Sequence, residues 1–128
     1  MAIDKNKYLR IHQNALNKFS GKFMSNSKWL KLFKLVSDNL NIINGYTIID
    51  IYDDIPCFVD AVDLIHFEEV YNTDGIKDVI RRGPMLFKEI RWIELHANDA
   101  GFLEKILPQL GELVIEKDEN SFKIYGYK

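Results

Sequence analysis

The sequence contains one cysteine, three prolines and, from residue 35 to residue 76, no lysine or arginine. A single cysteine excludes an internal disulfide, so the fold must depend on a hydrophobic core, as is usual in a reducing cytosol. No apolar run approaches the roughly 18–20 residues that cross a bilayer. The N-terminus also lacks the apolar segment of a signal peptide. We therefore expect a cytoplasmic protein with no membrane partner.

Motifs of known catalytic chemistry are missing as well. The chain has no G-x-S-x-G, no P-loop, no G-x-G-x-x-G, no H-E-x-x-H and no EF-hand spacing. His12, His66 and His96 are dispersed, and Cys57 lies in the apolar run Cys-Phe-Val, which is typical of a buried, inert thiol. We therefore expect a protein that is not an enzyme and has neither a cofactor nor a metal ion.

Length and composition indicate one folded domain spanning residues 1–128. The chain is 47% apolar and 12% aromatic, which is typical of globular proteins rather than disordered ones. A chain of this length buries about two-thirds of its unfolded surface, enough for a core without disulfide or metal support.

Charge is distributed very unevenly along the chain. Residues 1–34 carry eight basic residues and one acidic residue, whereas residues 35–76 carry nine acidic residues and no basic one. Residues 77–128 carry nine of each sign. A stretch that is both acidic and rich in apolar residues predicts a folded acidic surface suited to a basic partner.

Hydrophobic periodicity predicts three helices. Residues 4–19 and 28–40 place apolar side chains at spacings of three and four, and the second segment follows capping candidates at Ser25, Asn26 and Ser27. A third helix is expected over residues 99–108, with Gly111 after its end.

The remaining segments favour strands. Residues 46–52 are β-branched and aromatic, a second strand is expected within residues 57–67, and a third over residues 86–95. The Asn44-Gly45 dipeptide predicts a turn before the first of them, and residues 76–82 fit either a short helix or a strand. A hairpin is expected over residues 113–117 and 122–127.

Because strands outnumber helices and occur in adjacent groups, we predict an α+β fold. It should comprise two N-terminal helices, a mainly antiparallel sheet, one further helix and a C-terminal β-hairpin. Trp29 is expected in the core, whereas Trp92 suits either the core or a partner surface. The other expected core residues are Leu32, Phe33, Val36, Ile49, Ile51, Ile93, Phe102, Ile106 and Ile115.

The acidic stretch is the predicted binding site. Carboxylates interspersed with tyrosines would suit a protein surface that contacts lysine and arginine. The candidate partner-binding residues are Asp50, Tyr52, Asp53, Asp54, Asp60, Asp63, Glu68, Glu69, Tyr71 and Asp74.

Two alternatives from other functional classes remain open. A small metal-dependent hydrolase would use Asp50, Asp53, Asp54 or His66, because carboxylates and imidazoles bind divalent cations. A nucleic-acid-binding regulator would use the basic N-terminal helix, although that helix lacks the interleaved aromatics of a base-stacking surface. We expect no direct nucleic-acid binding.

Three segments resemble a family of small bacterial proteins of unknown function. They are Ser-Lys-Trp-Leu-Lys-Leu-Phe at residues 27–33, Ile-Arg-Trp-Ile-Glu at residues 90–94 and Phe-Lys-Ile-Tyr-Gly-Tyr at residues 122–127. In size and charge the chain is also similar to immunity proteins of contact-dependent and other polymorphic toxin systems. That resemblance implies a cytoplasmic protein that binds and neutralises a toxin domain, such as a nuclease, and it implies no catalytic residue.

Overall fold

The computed structural model describes residues 5–59, 64–67, 73–80 and 82–128. Within these ranges the chain forms three α-helices, eight β-strands and two short 3₁₀ turns. In chain order the elements are α1 (Lys5–Lys18), α2 (Asn26–Asp38), β1 (Ile43–Asp50), β2 (Cys57–Phe58), β3 (Leu64–Phe67), β4 (Thr73–Val79), β5 (Gly83–Leu86), a 3₁₀ turn (Phe87–Glu89), β6 (Ile90–Ala97), α3 (Ala100–Ile106), a second 3₁₀ turn (Leu107–Leu110), β7 (Ile115–Lys117) and β8 (Ser121–Tyr125).

The strands form two sheets. One has five strands in the order β2-β1-β6-β8-β7, the other has three in the order β3-β4-β5, and each described strand pair is antiparallel. The predicted α+β class is therefore confirmed, as are the two N-terminal helices, the further helix and the C-terminal hairpin of β7 and β8.

The register of the five-stranded sheet separates an inner from an outer face. Ile48, Ile93 and Ile124 are aligned across β1, β6 and β8, and all three are fully buried. The adjacent row contains Glu94 and Lys123, which point to the other face because successive side chains in a strand alternate. The inner row packs in one core with residues of α2 and α3.

Helix α2 supplies the centre of this core. The Ser25 side chain caps the helix by accepting a hydrogen bond from the backbone N–H of Lys28. Trp29 and Phe33 then stack with ring centroids 5.9 Å apart, and Phe33 stacks on Phe87 of the 3₁₀ turn at 5.5 Å. This aromatic column joins α2 to the segment that connects the two sheets.

Burial agrees with most of the expected core. Leu32, Phe33, Val36, Ile49, Ile51, Ile93 and Trp29 are buried, whereas Phe102, Ile106 and Ile115 are only partly buried. The buried residue of α3 is Leu103, and Ile115 belongs to the edge strand β7. Trp92 is also partly exposed, with the Lys123 ammonium 4.3 Å from its ring centroid.

The prediction of one strand over residues 86–95 was wrong. The chain instead forms β5, the 3₁₀ turn Phe87–Glu89 and β6, and a Glu89 carboxylate oxygen accepts the Leu86 N–H at 2.9 Å. This turn interrupts the alternation of faces. Four consecutive residues, Phe87, Lys88, Glu89 and Ile90, are consequently all buried.

Other boundaries differ in detail. The turn predicted at Asn44-Gly45 is a register shift inside β1, and β1 ends at Asp50 rather than at residue 52. The segment 57–67 contains two strands instead of one, and residues 76–79 of the ambiguous segment 76–82 belong to strand β4.

Helix α1 packs outside the main core. Its buried residues Ile11 and Ala15 form a second apolar cluster with Ile51, Leu86 and Tyr127. Phe19, just after the helix, stacks on the Tyr127 ring at 5.6 Å. Among the residues that the structure describes, no helix has the length and apolar character needed to span a membrane.

Candidate functional site

The connection between β1 and β2 presents an exposed surface at one edge of the five-stranded sheet. We call residues Tyr52–Phe58 the acidic loop. Its carboxylates Asp53 and Asp54 are exposed, and so are Tyr52, Ile55 and Phe58, at 50%, 66% and 57% of their surface. Three large apolar side chains beside two carboxylates are typical of a surface that contacts another protein.

Asp50, at the end of β1, holds the start of this loop. It is only 5% exposed, and its Oδ1 accepts the backbone N–H of Tyr52 at 2.9 Å and that of Asp53 at 3.2 Å. Asp53 repeats the pattern by accepting the Ile55 N–H at 3.0 Å. These side-chain to backbone bonds favour a turn over continued strand, which explains why β1 ends here.

Two buried carboxylates share one arginine beneath the loop. The Arg82 guanidinium lies 3.5 Å from Asp50 Oδ2 and 2.8 Å from Glu89 Oε2. Arg82 also donates to the Pro84 carbonyl at 3.2 Å, and Glu89 Oε1 accepts the Leu86 N–H. The carboxylates are therefore paired with a cation and with backbone donors, as buried charges must be.

The same network holds the Tyr52 side chain. Its hydroxyl donates to Glu89 Oε2 at 2.8 Å, and the Arg82 guanidinium lies 6.0 Å from its ring centroid. Burial, together with the charge of Glu89, raises the pKa of Tyr52, so the phenol remains a hydrogen-bond donor. The ring is thus fixed at one end while half of its surface faces solvent.

Neighbouring residues extend the surface of the loop. The backbone N–H of Ile80 donates to the Phe58 carbonyl at 3.1 Å, and the Ile80 side chain is also exposed. Cys57, between Pro56 and Phe58, is partly buried, and burial raises the pKa of its thiol. The expected inert thiol is consistent with this direction, because the thiol rather than the thiolate is favoured.

Basic residues reach the loop from elements far away in sequence. Arg91 of β6 forms an ion pair with Asp54 at 3.0 Å, and Lys18 at the end of α1 donates to the Ile51 carbonyl. The Asp54 side chain is 87% exposed, so this pair is a surface contact of small energetic weight. The acidic surface is therefore in contact with the protein's own cations along one side.

The predicted site residues divide into four groups. Tyr52, Asp53 and Asp54 lie together on the acidic loop, whereas Asp50 is buried and so corrects our expectation of a surface contact. Asp74 belongs to β4 opposite His66, but the side chains of this pair lie outside the described part. Five further candidates lie outside the described residues altogether, namely Asp60, Asp63, Glu68, Glu69 and Tyr71.

Sequence reasoning missed the residues that support the loop. Arg82 and Glu89 lie about 30 to 40 positions from Asp50 and carry no motif, so no local pattern connects them. The exposed Ile55 and Phe58 did carry a signal, because these large apolar residues lie within two positions of Pro56 in an acidic segment.

A second charged cluster lies where α1 contacts the 3₁₀ turn. It consists of His12 on α1, Lys22 after α1 and Lys88 in the turn, and we call it the basic cluster. Lys88 is 8% exposed, and burial together with a hydrogen bond to Lys22 and the charge of Lys22 lowers its pKa to about 7. Burial and the charges of Lys88 and Lys22 lower the pKa of His12 as well.

Lys88 should make the free energy of unfolding increase with pH on the alkaline side of neutrality. Its pKa is lowered on folding, from the ordinary 10.5 to about 7, so the unfolded chain binds more protons between these values. Stability should therefore rise with pH through this window, by up to about 1.4 kcal/mol per pH unit, and the full cost of burying the ammonium should be present below pH 7. Urea unfolding in a phosphate-free pH series would measure this.

The matched comparison is Lys88→Met against Lys28→Met, since Lys28 is on α2 and donates to the Glu112 carbonyl. Lys88→Met should remove the alkaline rise and Lys28→Met should retain it. Parallel stability profiles for all three proteins would show that Lys88 is protonated equally in both states.

Asp50 is a candidate ligand in the alternative of a metal-dependent hydrolase. Its carboxylate already accepts two backbone N–H groups and pairs with Arg82. Within the described ranges, no group of three or more histidine, cysteine, aspartate or glutamate side chains is placed to hold a metal ion.

Comparison of the chain with protein-family models, with curated proteins and with solved structures yields no match. The resemblance to immunity proteins therefore stays a hypothesis.

Proposed function

We propose that this chain is a non-enzymatic immunity protein that binds a basic toxin domain through the acidic loop and Ile80. The observation that carries the proposal is the exposure of Tyr52, Ile55 and Phe58 beside the carboxylates of Asp53 and Asp54. Burying exposed apolar side chains in an interface lowers the free energy, because their surface is removed from water. The adjacent carboxylates select a cationic partner.

The acidic loop combines the two kinds of side chain that protein interfaces use, apolar ones and charged ones. Aromatic and aliphatic side chains at the centre of an interface account for most of its binding energy, and charges at the rim set orientation and association rate. In the acidic loop, Phe58 and Ile55 would occupy the centre. Asp53 and Asp54 would pair with lysine or arginine of the partner, including residues that a nuclease uses on phosphate.

The network beneath the loop supports rapid and specific binding. Tyr52 is held by Glu89 and Arg82, and the loop backbone is held by Asp50 and Asp53. A surface that is ordered before binding avoids the entropy cost of immobilising it afterwards. The buried ion pairs therefore serve the interface indirectly, by keeping the exposed side chains in position.

Reversal of charge at Asp53 and Asp54 tests the proposal. The variant with both residues changed to lysine should bind the purified toxin domain, for which the product of the adjacent gene is the candidate, at least about tenfold more weakly. The loss should come mainly from a slower association rate. The effect should shrink as salt rises, because the Debye length falls from about 10 Å at 0.1 M to about 3 Å at 1 M. Titration calorimetry and stopped-flow association measure both quantities.

The matched control reverses Asp118 and Glu119, two adjacent exposed acids in the turn between β7 and β8. That turn belongs to the opposite edge of the five-stranded sheet, so binding should change little. A variant with asparagine at 53 and 54 separates charge from loop geometry, because an amide oxygen can still accept the Ile55 N–H. Equal binding by the loop and control reversals would exclude the acidic loop as the site.

A further inference from the structure

A groove between α2 and α3 carries an inference that does not depend on the proposed function. It follows the line where α2 meets α3 and the second 3₁₀ turn, and its cavity volume is about 410 Å³. Small-molecule sites in proteins have volumes of about 300–1,000 Å³ and often lie between helices. The groove therefore has room for a small ligand.

Apolar side chains form the floor of this groove. Four partly buried residues line it and pack against the main core, namely Leu35, Phe102, Ile106 and Leu110. The groove explains why Phe102 and Ile106, which the sequence predicts as core residues, keep part of their surface exposed. An apolar ligand that covers this surface would be bound favourably, because it removes the surface from water.

Two lysines lie on one rim of the groove. Lys31 and Lys34, one turn apart on α2, are exposed, and neither forms an ion pair with a carboxylate in the described part of the chain. Asp38 also lines the groove, but it follows Lys31 by seven positions and so lies about 10 Å further along the helix axis. The rim at the two lysines therefore suits an anionic group beside an apolar chain.

Hydrogen bonds connect the two walls of the groove near both of its ends. At one end the Lys28 ammonium donates to the Glu112 carbonyl at 2.6 Å, and at the other the Asn98 N–H donates to the Ile42 carbonyl at 2.9 Å. The walls are thus held together before any ligand is present. A site that is formed in advance avoids the entropy cost of ordering it during binding.

The size of the groove favours a small ligand over a protein partner. Nine residues line it, whereas a specific protein interface involves about 20–30 residues on each side. A linear molecule with one anionic end matches both the apolar floor and the ammonium groups of the rim. A carboxylate suits that end, because its two oxygens can accept charge-assisted hydrogen bonds from both lysines.

We propose that this groove binds a free medium-chain carboxylate. Its carboxylate lies beside Lys31 and Lys34, and its alkyl chain crosses Leu35, Phe102 and Ile106. The ammonium groups select the charged end, and the chain displaces water from the apolar floor. Longer chains should bind more tightly, by about fourfold for each methylene group that the floor buries.

Titration calorimetry with sodium decanoate below its micelle-forming concentration tests the proposal. The double variant Lys31→Gln/Lys34→Gln should bind decanoate at least about tenfold more weakly. Its affinity for decan-1-ol, which has the same chain without the charge, should equal that of the parent. The matched control is Lys7→Gln/Lys105→Gln, two exposed lysines outside the groove, which should bind decanoate as tightly as the parent.

NMR of protein with labelled isoleucine and leucine methyl groups locates the ligand. Decanoate should shift the methyl resonances of Ile106 and Leu110 in a saturable manner. The resonance of Ile55, which is 66% exposed on the acidic loop, should stay unchanged. Equal shifts at Ile55 and Ile106 would show adsorption to any exposed apolar side chain and would overturn the proposal.

Two results of the calorimetry would also overturn it. One is equal affinity of the two double variants for decanoate, and the other is a parent protein that binds decan-1-ol as tightly as decanoate. Phosphatidylglycerol vesicles and an amphipathic helical peptide rich in leucine and glutamate test other occupants. If either binds through Lys31 and Lys34 while decanoate does not, the groove contacts a lipid surface or a protein helix and the small-ligand proposal is wrong.

Discussion

Replacing Arg82 with methionine should lower the free energy of unfolding by about 3–5 kcal/mol. Its guanidinium is the shared cation of two carboxylates, Asp50 and Glu89, whose side chains are only 7% and 11% exposed. Without Arg82 both carboxylates would keep their desolvation cost and lose the attraction that offsets it. Urea denaturation of the parent and the variant at neutral pH measures the difference.

Arg91→Met is the control for this change, since it removes an arginine from an exposed ion pair with Asp54. Exposed pairs contribute about 0–1 kcal/mol, so Arg91→Met should be clearly milder. A double-mutant cycle with Glu89→Gln isolates the coupling, because removing one buried carboxylate should recover part of the loss. If Arg82→Met and Arg91→Met destabilise equally, the network contributes no more than a surface contact.

The Arg82 variant also links stability to binding. Tyr52 contacts both Arg82 and Glu89, so loss of the guanidinium releases one side of the acidic loop. Binding of the partner should then weaken even under conditions in which the variant is fully folded. The reason is that the loop would have to be ordered during binding instead of before it.

Replacing Trp29 with alanine should lower the free energy of unfolding by about 3–5 kcal/mol. The ring is 2% exposed and stacks on Phe33, and its Cζ2 atom lies so close to Gly126 that a Cβ there would be 2.8 Å away. Such tight packing from two elements leaves little room for the structure to collapse into the cavity. Trp92 remains as the fluorescent reporter of unfolding.

Leu40→Ala provides the comparison, because Leu40 follows α2 and is exposed. Its truncation should change the stability by no more than about 0.5 kcal/mol.

The parent should unfold in one cooperative transition if residues 1–128 form the single domain that we predict. Two separate transitions, or a small effect of Trp29→Ala, would contradict this view of the core.

The helices and the fold class were predictable because their signals are local. In α2, apolar residues recur at three and four positions behind a serine cap, and this pattern alone determines which face is buried. The strands were less predictable at their ends. In the segment 86–95, side-chain alternation suggests one strand. The chain forms a 3₁₀ turn there instead, closed by the Ile90 N–H donating to the Phe87 carbonyl and capped by the Glu89 carboxylate, which accepts the Leu86 N–H.

The candidate site was partly predictable for a similar reason. The acidic character and the aromatic residue of the loop can be read directly from Tyr52, Asp53 and Asp54. The burial of Asp50 cannot, because its cation is Arg82 on a distant segment. A carboxylate in a sequence is equally compatible with solvent and with a buried ion pair, and only the position of its partner decides between them.

The sequence by itself determined the α+β class, the apolar stripe of α2, the absence of a disulfide and the acidic stretch that contains the candidate site. These properties depend on composition and on residue spacings of two to four. The tertiary structure alone decided that Arg82 and Glu89 support the acidic loop, and that Lys88 is buried where the 3₁₀ turn contacts α1. Such contacts join segments dozens of residues apart, and their energies depend on burial and on partner geometry, which no local pattern encodes.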